Sequence, residues 1–140
     1  MMEPSGENRR SFELERIVFF SDAVFAIAIT LLVLDIKVPE IPERLVAQEL
    51  PEALAALWPK FLSYVLSFVV ILFYWTAHHR IFHAIKDYDW NLIWLNSLFL
   101  MCIAFLPFPT ALLGEYGNHQ LPVVIYAGSV AITRLMLSAA

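Results

Sequence analysis

An acidic residue, Asp22, lies well inside the first long apolar stretch of the sequence, FFSDAVFAIAITLLVLDI at residues 19–36, far from Asp35 at its end. A carboxylate within a hydrocarbon layer costs about 2.5–3.5 kcal/mol even on lenient scales, so it pairs with a polar group or marks an ion path. Arg16 lies about 120 degrees from Asp22 around a helix, too far round for easy pairing within one helix. We therefore expect a donor on a neighbouring helix, from the set His78, His79, Arg80, Trp75 and Asn91.

The remaining polar side chains in apolar stretches offer little catalytic chemistry. His79 and His83 have the i, i+4 spacing that can bind a transition metal, but no third ligand with suitable spacing is visible, so we predict no metal site. Asn91 and Asn96 are predicted to donate hydrogen bonds between helices. The sequence lacks a Gly-rich phosphate loop, a recognisable Ser-His-Asp arrangement and an H-E-x-x-H motif, so no enzyme is predicted.

The composition indicates a membrane protein. Of the 140 residues, 60% are hydrophobic and 16% are charged, against about 25% charged in soluble domains. The apolar residues form runs of about 17–20, the length that crosses a hydrocarbon core. The sequence thus predicts an all-α, polytopic protein with a single transmembrane domain over residues 1–140. Its predicted membrane helices cover approximately 14–37, 58–80, 88–109 and 121–140, with a short interfacial helix at about 43–50.

The basic residues predict an orientation. Arg9, Arg10 and Arg16 precede or begin the first run, and Arg80 and Lys86 follow the second, whereas the loop after the third run has none. This bias places the N-terminus and the second loop in the cytoplasm. The short chain shows no organellar targeting segment, which favours a bacterial plasma membrane, and a net charge of −4 gives no reason to expect nucleic acid.

The first predicted helix has two different sides. One stripe, here called the first-helix stripe, lies within about 60 degrees of Ile27 and consists of Phe20, Ile27, Thr30, Leu31 and Leu34. Asp22 lies about 140 degrees away. Packing between helices of one chain is the usual explanation of such spacing. If identical chains met around an axis at this stripe, its rings would instead line a narrow path.

The segment RIVFFSD, residues 16–22, resembles the R-x-x-x-F-S-D signature that begins the first helix in the transmembrane protein 175 family of potassium channels. The resemblance continues through AIAITLLVL, FYWTAHHRIF and FLPFPTALLGEY. It implies a tetrameric potassium-permeable pore lined by the first helices, built from six helices per chain, of which this sequence contains four. By position after the motif, Ile27 matches the constricting residue, Leu31 and Leu34 the next rings, and Thr30 a hydroxyl layer.

The same resemblance marks a first-helix motif, and the wheel position of Asp22 predicts that this residue anchors the helix from behind. We assign to this motif and its anchoring network the signature residues and one histidine of the second run: Arg16, Phe20, Ser21, Asp22 and His78. A buried, hydrogen-bonded anchor is the reading preferred for Asp22 and Ser21 over direct ion coordination.

The predicted function is therefore a potassium-permeable cation channel with a hydrophobic constriction. Its partners would be identical chains in a homotetramer, the lipid bilayer and permeant potassium, with no cofactor. Two alternatives are a proton-coupled carrier that uses Asp22 and a histidine as a relay, and a membrane scaffold that does not conduct.

Overall fold

The computed structural model describes residues 6–86 and 89–139, and these residues are nearly all helical, without a strand. This confirms the predicted all-α class. The helices are α1 (Gly6–Leu31, followed by a 3-10 turn at Leu32–Asp35), α2 (Val46–Ala56, preceded by a 3-10 turn at Glu43–Leu45), α3 (Trp58–Ala84), α4 (Trp90–Phe105), α5 (Pro107–Tyr116) and α6 (Gln120–Ala139).

Among the described residues, four helical segments are long and apolar enough to cross a membrane. They are Gly6–Asp35, Trp58–Ala84, Trp90–Tyr116 and Gln120–Ala139, the third of which joins α4 and α5. Many large apolar side chains on them are exposed in the single chain. A soluble monomer rarely leaves so much contiguous apolar surface in water, so the chain is a multi-pass membrane protein.

The first helix differs from its predicted bounds of 14–37 at both ends. It begins at Gly6 because the glutamates and arginines before residue 17 are good helix formers and continue the helix beyond the apolar run. Its last turn tightens into a 3-10 helix at Leu32–Asp35, so Lys37 lies outside it. Similarly, α3 continues past the predicted end at residue 80 to Ala84, through HHRIFHA.

The predicted helix 88–109 is divided in two. Pro107 and Pro109 occupy the start of α5, where a missing amide hydrogen costs nothing, so the chain resumes a helix directly after Leu106 and continues to Tyr116. Asp89 caps α4 by accepting from the Leu92 amide at 2.8 Å. The predicted start at residue 88 and the predicted end of the last helix at residue 140 lie outside the described residues.

The predicted interfacial helix at 43–50 is also longer than expected. It begins as a 3-10 turn at Glu43 and continues as α2 through Pro51 to Ala56. Pro51 is exposed, and proline removes one intrahelical hydrogen bond without removing the neighbouring ones. The predicted end at residue 50 lies directly before Pro51. Location of α2 at a membrane surface remains a prediction.

The core joins α1 to the other membrane helices. The helix α1 packs against α3 and α4, α3 packs against α5, and α6 covers α4 and α5. One cluster of buried apolar residues lies at the centre: Phe25, Ala28, Leu32, Ile71, Tyr74, Phe99, Leu100, Ile103, Leu106 and Leu137. Its members from α1 and the following turn, Phe25, Ala28 and Leu32, lie about 100–160 degrees from Ile27 around the helix.

Gly114 sets the close approach of α5 to α3, which yields a prediction for Gly114→Ala. A Cβ atom there would lie 2.7 Å from Ser63 Oγ and 3.3 Å from Lys60 Cα. The hydroxyl can rotate, but the backbone at Lys60 cannot yield without moving α3, so we expect a loss of about 1–3 kcal/mol in unfolding free energy. The adjacent ion pair between Lys60 and Glu115, at 2.6 Å, would be disturbed with it.

The control is Gly128→Ala on α6, where a Cβ atom meets nothing within 4 Å. Alanine favours a helix by up to about 1 kcal/mol over glycine, so this variant should be at least as stable as the parent. Thermal unfolding in detergent compares the two. Equal stability of both variants would contradict the assigned close approach.

Candidate functional site

Three buried polar side chains join α1, α3 and α4. The Ser21 hydroxyl donates to the Ile17 carbonyl of its own helix at 2.8 Å and accepts from Asn96 Nδ2 at 3.1 Å. Asn96 Oδ1 lies 2.8 Å from His78 Nε2, and because a carbonyl oxygen can only accept, the histidine ring donates. We call Ser21, His78 and Asn96 the Asn96 network.

Aromatic rings enclose His78 within this network. Its ring stacks on Phe82, with centroids 4.3 Å apart, and is nearly parallel to Phe99 at 5.5 Å. Phe25 of α1 approaches at 5.6 Å. His78 is therefore buried among aromatic rings, as is typical of a side chain that positions helices.

Asp22 has the donor that the sequence required. Trp75 Nε1 on α3 donates to Asp22 Oδ1 at 2.8 Å, which confirms one of the expected partners. The carboxylate thereby attaches to α3 the side of α1 that lies opposite the first-helix stripe. Together with the Asn96 network, this bond fixes the rotation of α1 against its neighbours.

The structure does not bring Arg16 and Phe20 into these contacts. Both line an open cleft between α1 and α4, and Phe20 is 62% exposed. The reason is rotation: Phe20 lies about 20 degrees from Ile27 around the helix, so it cannot face the buried side where Ser21 and Asp22 make their bonds. Arg16 and Phe20 therefore belong to the signature but not to the hydrogen-bonded anchor.

The first-helix stripe is uncovered in the single chain. Ile27 is 58% and Leu34 67% exposed, and Leu31 is also exposed. Thr30 is exposed as well, and its hydroxyl donates to the Ile27 carbonyl at 2.9 Å. Its oxygen lone pairs remain available on the exposed side. The helix α1 thus presents aliphatic side chains and one hydroxyl on one face, while its other face is fixed by packing and hydrogen bonds.

Asn96 confirms the prediction that an asparagine of the third run bonds across helices, but its partners were missed. Their pairing depends on the relative depth of three helices, which a single sequence does not contain. A second polar chain was missed altogether: Thr110 Oγ1 lies 2.7 Å from Ser67 Oγ, which lies 2.9 Å from the Tyr126 hydroxyl. It joins α3, α5 and α6.

The fold and this arrangement define a class: a polytopic helical membrane protein whose first helix is fixed on one side and open on the other. Comparison with known proteins identifies the family. The family model described as the endosomal/lysosomal potassium channel TMEM175 matches residues 16–107. The chain belongs to the TMEM175 family.

Individual relatives agree with this assignment. A potassium channel of Chamaesiphon minutus is 48% identical over 120 residues, which cover 83% of this chain and 58% of that protein. A potassium channel of Streptomyces collinus is 49% identical over 104 residues, or 74% of this chain and 49% of that protein. The chain thus spans about half the length of these relatives.

A solved structure shares the fold. The crystal structure of a lysosomal potassium-selective channel TMEM175 homologue from Chamaesiphon minutus superposes with a TM-score of 0.82 at 44% sequence identity. The match covers 89% of this chain and 68% of that one.

Proposed function

We propose that this chain forms a potassium-permeable cation channel in which α1 lines the pore. The observation that carries the proposal is the exposure of Ile27 and Leu34 on a helix whose opposite side is fixed by Asp22 and the Asn96 network. Membership of the TMEM175 family, whose matched relatives are named potassium channels, supports it. Permeant potassium needs no cofactor.

The pore requires self-association, for which we propose a homotetramer. Four copies of α1 around an axis would stack rings of Ile27, then Thr30 and Leu31, then Leu34. Rings of hydrocarbon side chains cannot replace the hydration shell of an ion. Selectivity would therefore arise from partial dehydration of the ion in a narrow passage, aided by the Thr30 hydroxyls. Potassium loses water at lower cost than sodium. The same rings can dewet and close the path, so Ile27 would be both sieve and gate.

The proposed setting is a bacterial plasma membrane with the N-terminus in the cytoplasm. Arg9, Arg10 and Arg16 at the start of α1, and Arg80 and Lys86 at the end of α3, would then lie on the cytoplasmic side. The loop between α5 and α6, which has no basic residue, would lie outside.

Potassium flux from reconstituted vesicles tests the proposal. Vesicles loaded with potassium should release it passively. A proton ionophore should change the rate of release only because entering protons balance the charge that the leaving potassium carries out. Single-channel recordings should reverse near the potassium equilibrium potential. Absence of flux from correctly folded, reconstituted protein would support a scaffold and contradict the channel.

Asp22→Asn separates the channel from a proton-coupled carrier. The asparagine carbonyl can still accept from Trp75 Nε1, which now donates to Asp22, but it cannot carry a proton. A channel should keep potassium flux within about threefold, since an acceptor lost or weakened at this depth costs only about 0.6 kcal/mol on average. Loss of flux together with loss of any dependence on a proton gradient would favour the carrier.

A further inference from the structure

Two histidines at the end of α3 take no part in the contacts that hold α1. His79 and His83 lie one turn apart, the first partly buried and the second exposed, with their Nε2 atoms 3.1 Å apart. Their rings are nearly perpendicular, at 79°. Both Nε2 atoms therefore approach one point in space. In the ion-free state one ring donates a hydrogen bond to the other.

The separation of the two nitrogens matches that of two ligands on one metal ion. With metal–nitrogen bonds of about 2.0–2.1 Å, nitrogens 3.1 Å apart subtend about 98 degrees at the ion, between the square-planar and tetrahedral values. The sequence alone predicted no metal site here, but the convergence of the two Nε2 atoms changes that expectation. We propose that His79 and His83 form a chelating site for a divalent transition-metal ion of the Zn²⁺, Cu²⁺ or Ni²⁺ class. Both rings then carry their proton on Nδ1 and turn the Nε2 lone pairs to the metal.

The surroundings leave room for an ion and for water. A cavity of about 200 Å³ between α1 and α3 is lined by His79, His83, Phe82 and residues of α1 that include Glu15. Within residues 6–86 and 89–139 no three His, Cys, Asp or Glu side chains are grouped for metal binding. Two imidazoles thus supply the protein ligands and water completes the coordination. Such a site exchanges its ion, unlike a closed four-ligand site.

Trp75 offers an optical signal for occupancy. Its indole stacks on the His79 ring, with centroids 5.6 Å apart and planes at 24°. A paramagnetic Cu²⁺ ion held by His79 would quench the fluorescence of this indole efficiently. The other tryptophans, Trp58, Trp90 and Trp94, are exposed and can be replaced by phenylalanine, which leaves Trp75 as the single reporter among the 4 tryptophans.

The experiment is a Cu²⁺ titration of that single-tryptophan protein in detergent, after removal of any affinity tag. We expect saturable quenching that excess Zn²⁺ reverses. His79→Gln and His83→Gln should each weaken Cu²⁺ binding at least about tenfold, the scale on which even outer-shell partners act. His119→Gln, which alters an exposed histidine in the loop before α6, should leave the curve unchanged.

Either of two results would overturn the site: quenching that does not saturate, or His83→Gln binding Cu²⁺ as tightly as the parent. His83 is exposed near the helix end, so this variant should fold even if His79→Gln does not. Because the titration involves no ion flux, its failure would leave the proposed channel function unaffected.

Discussion

Replacing Asn96 with leucine is expected to lower the midpoint of thermal unfolding by at least about 2 °C. Leucine is close to asparagine in size but removes both bonds at once, the acceptor for His78 and the donor to Ser21. Within the described residues, every buried side-chain nitrogen and oxygen has a partner. Ser21 keeps its bond to the Ile17 carbonyl, but the His78 donor loses its acceptor. A buried group left unsatisfied costs about 1–3 kcal/mol, and each kcal/mol lowers the midpoint by about 2–4 °C for a chain of this size.

The neighbouring residue supplies the control for this variant. Ser97 is exposed on α4, and its hydroxyl donates to the Ile93 carbonyl of the same helix at 2.8 Å. Ser97→Leu therefore removes no contact between helices and should leave the midpoint within about 1 °C. If Asn96→Leu were as stable as Ser97→Leu in the same detergent, the Asn96 network would not be what holds α1 in place.

Replacing Ile27 with asparagine is expected to raise ion flux about tenfold and to reduce the preference for potassium over sodium. A ring of amides binds water where a ring of isoleucines expels it. Removal of only about 1.4 kcal/mol from the barrier to permeation accounts for a tenfold change in rate. Bilayer recordings of the two proteins, in potassium and then in mixed potassium and sodium, measure both quantities.

The same substitution on another helix controls for a general effect of an exposed amide. Ile132 on α6 is 53% exposed, close to the 58% of Ile27. Ile132→Asn should conduct like the parent because α6, which packs on α4 and α5, is not the helix proposed to line the pore. Unchanged conductance and ion preference in Ile27→Asn would remove Ile27 from the proposed constriction.

The two-sided character of α1 could be predicted because it follows from local geometry. An α-helix turns about 100 degrees per residue, so the sequence alone separates Ile27 and Leu34 from Asp22. Hydrophobicity, similarly, fixes the number of long apolar runs. The donor to Asp22 is Trp75, one of five candidates that were named from the approximate depth of neighbouring helices.

The features that the sequence did not predict depend on the relative heights of neighbouring helices and on the residues at which helices begin and end. The bonds of Asn96 to Ser21 and His78 require three helices to meet at one depth, and single-sequence reasoning does not supply their relative heights. Helix ends were misjudged where apolar content and helix propensity differ, as in the charged first turns of α1 and in the prolines at the start of α5.

The arrangement of α1 explains how a helix can line a path without losing its position. Interactions on its buried side, from Phe25 and Leu32 to the Trp75–Asp22 bond, provide its stability within the chain. The first-helix stripe contributes little there, so it can be exposed to a passage. Substitutions behind the helix should therefore change stability first, and substitutions on the stripe should change conduction first.

The central claim, that this stripe faces a water-filled passage, is tested most directly by thiol accessibility. Ile27→Cys and Val69→Cys would each be made with Cys102→Ala, since Cys102 is the only cysteine in the sequence. Val69 on α3 is 57% exposed, almost as much as Ile27 at 58%. A charged, membrane-impermeant thiol reagent should modify the cysteine at position 27 and block potassium flux, while leaving the protein with cysteine at position 69 unaffected. Equal resistance of both proteins to the reagent would contradict the account.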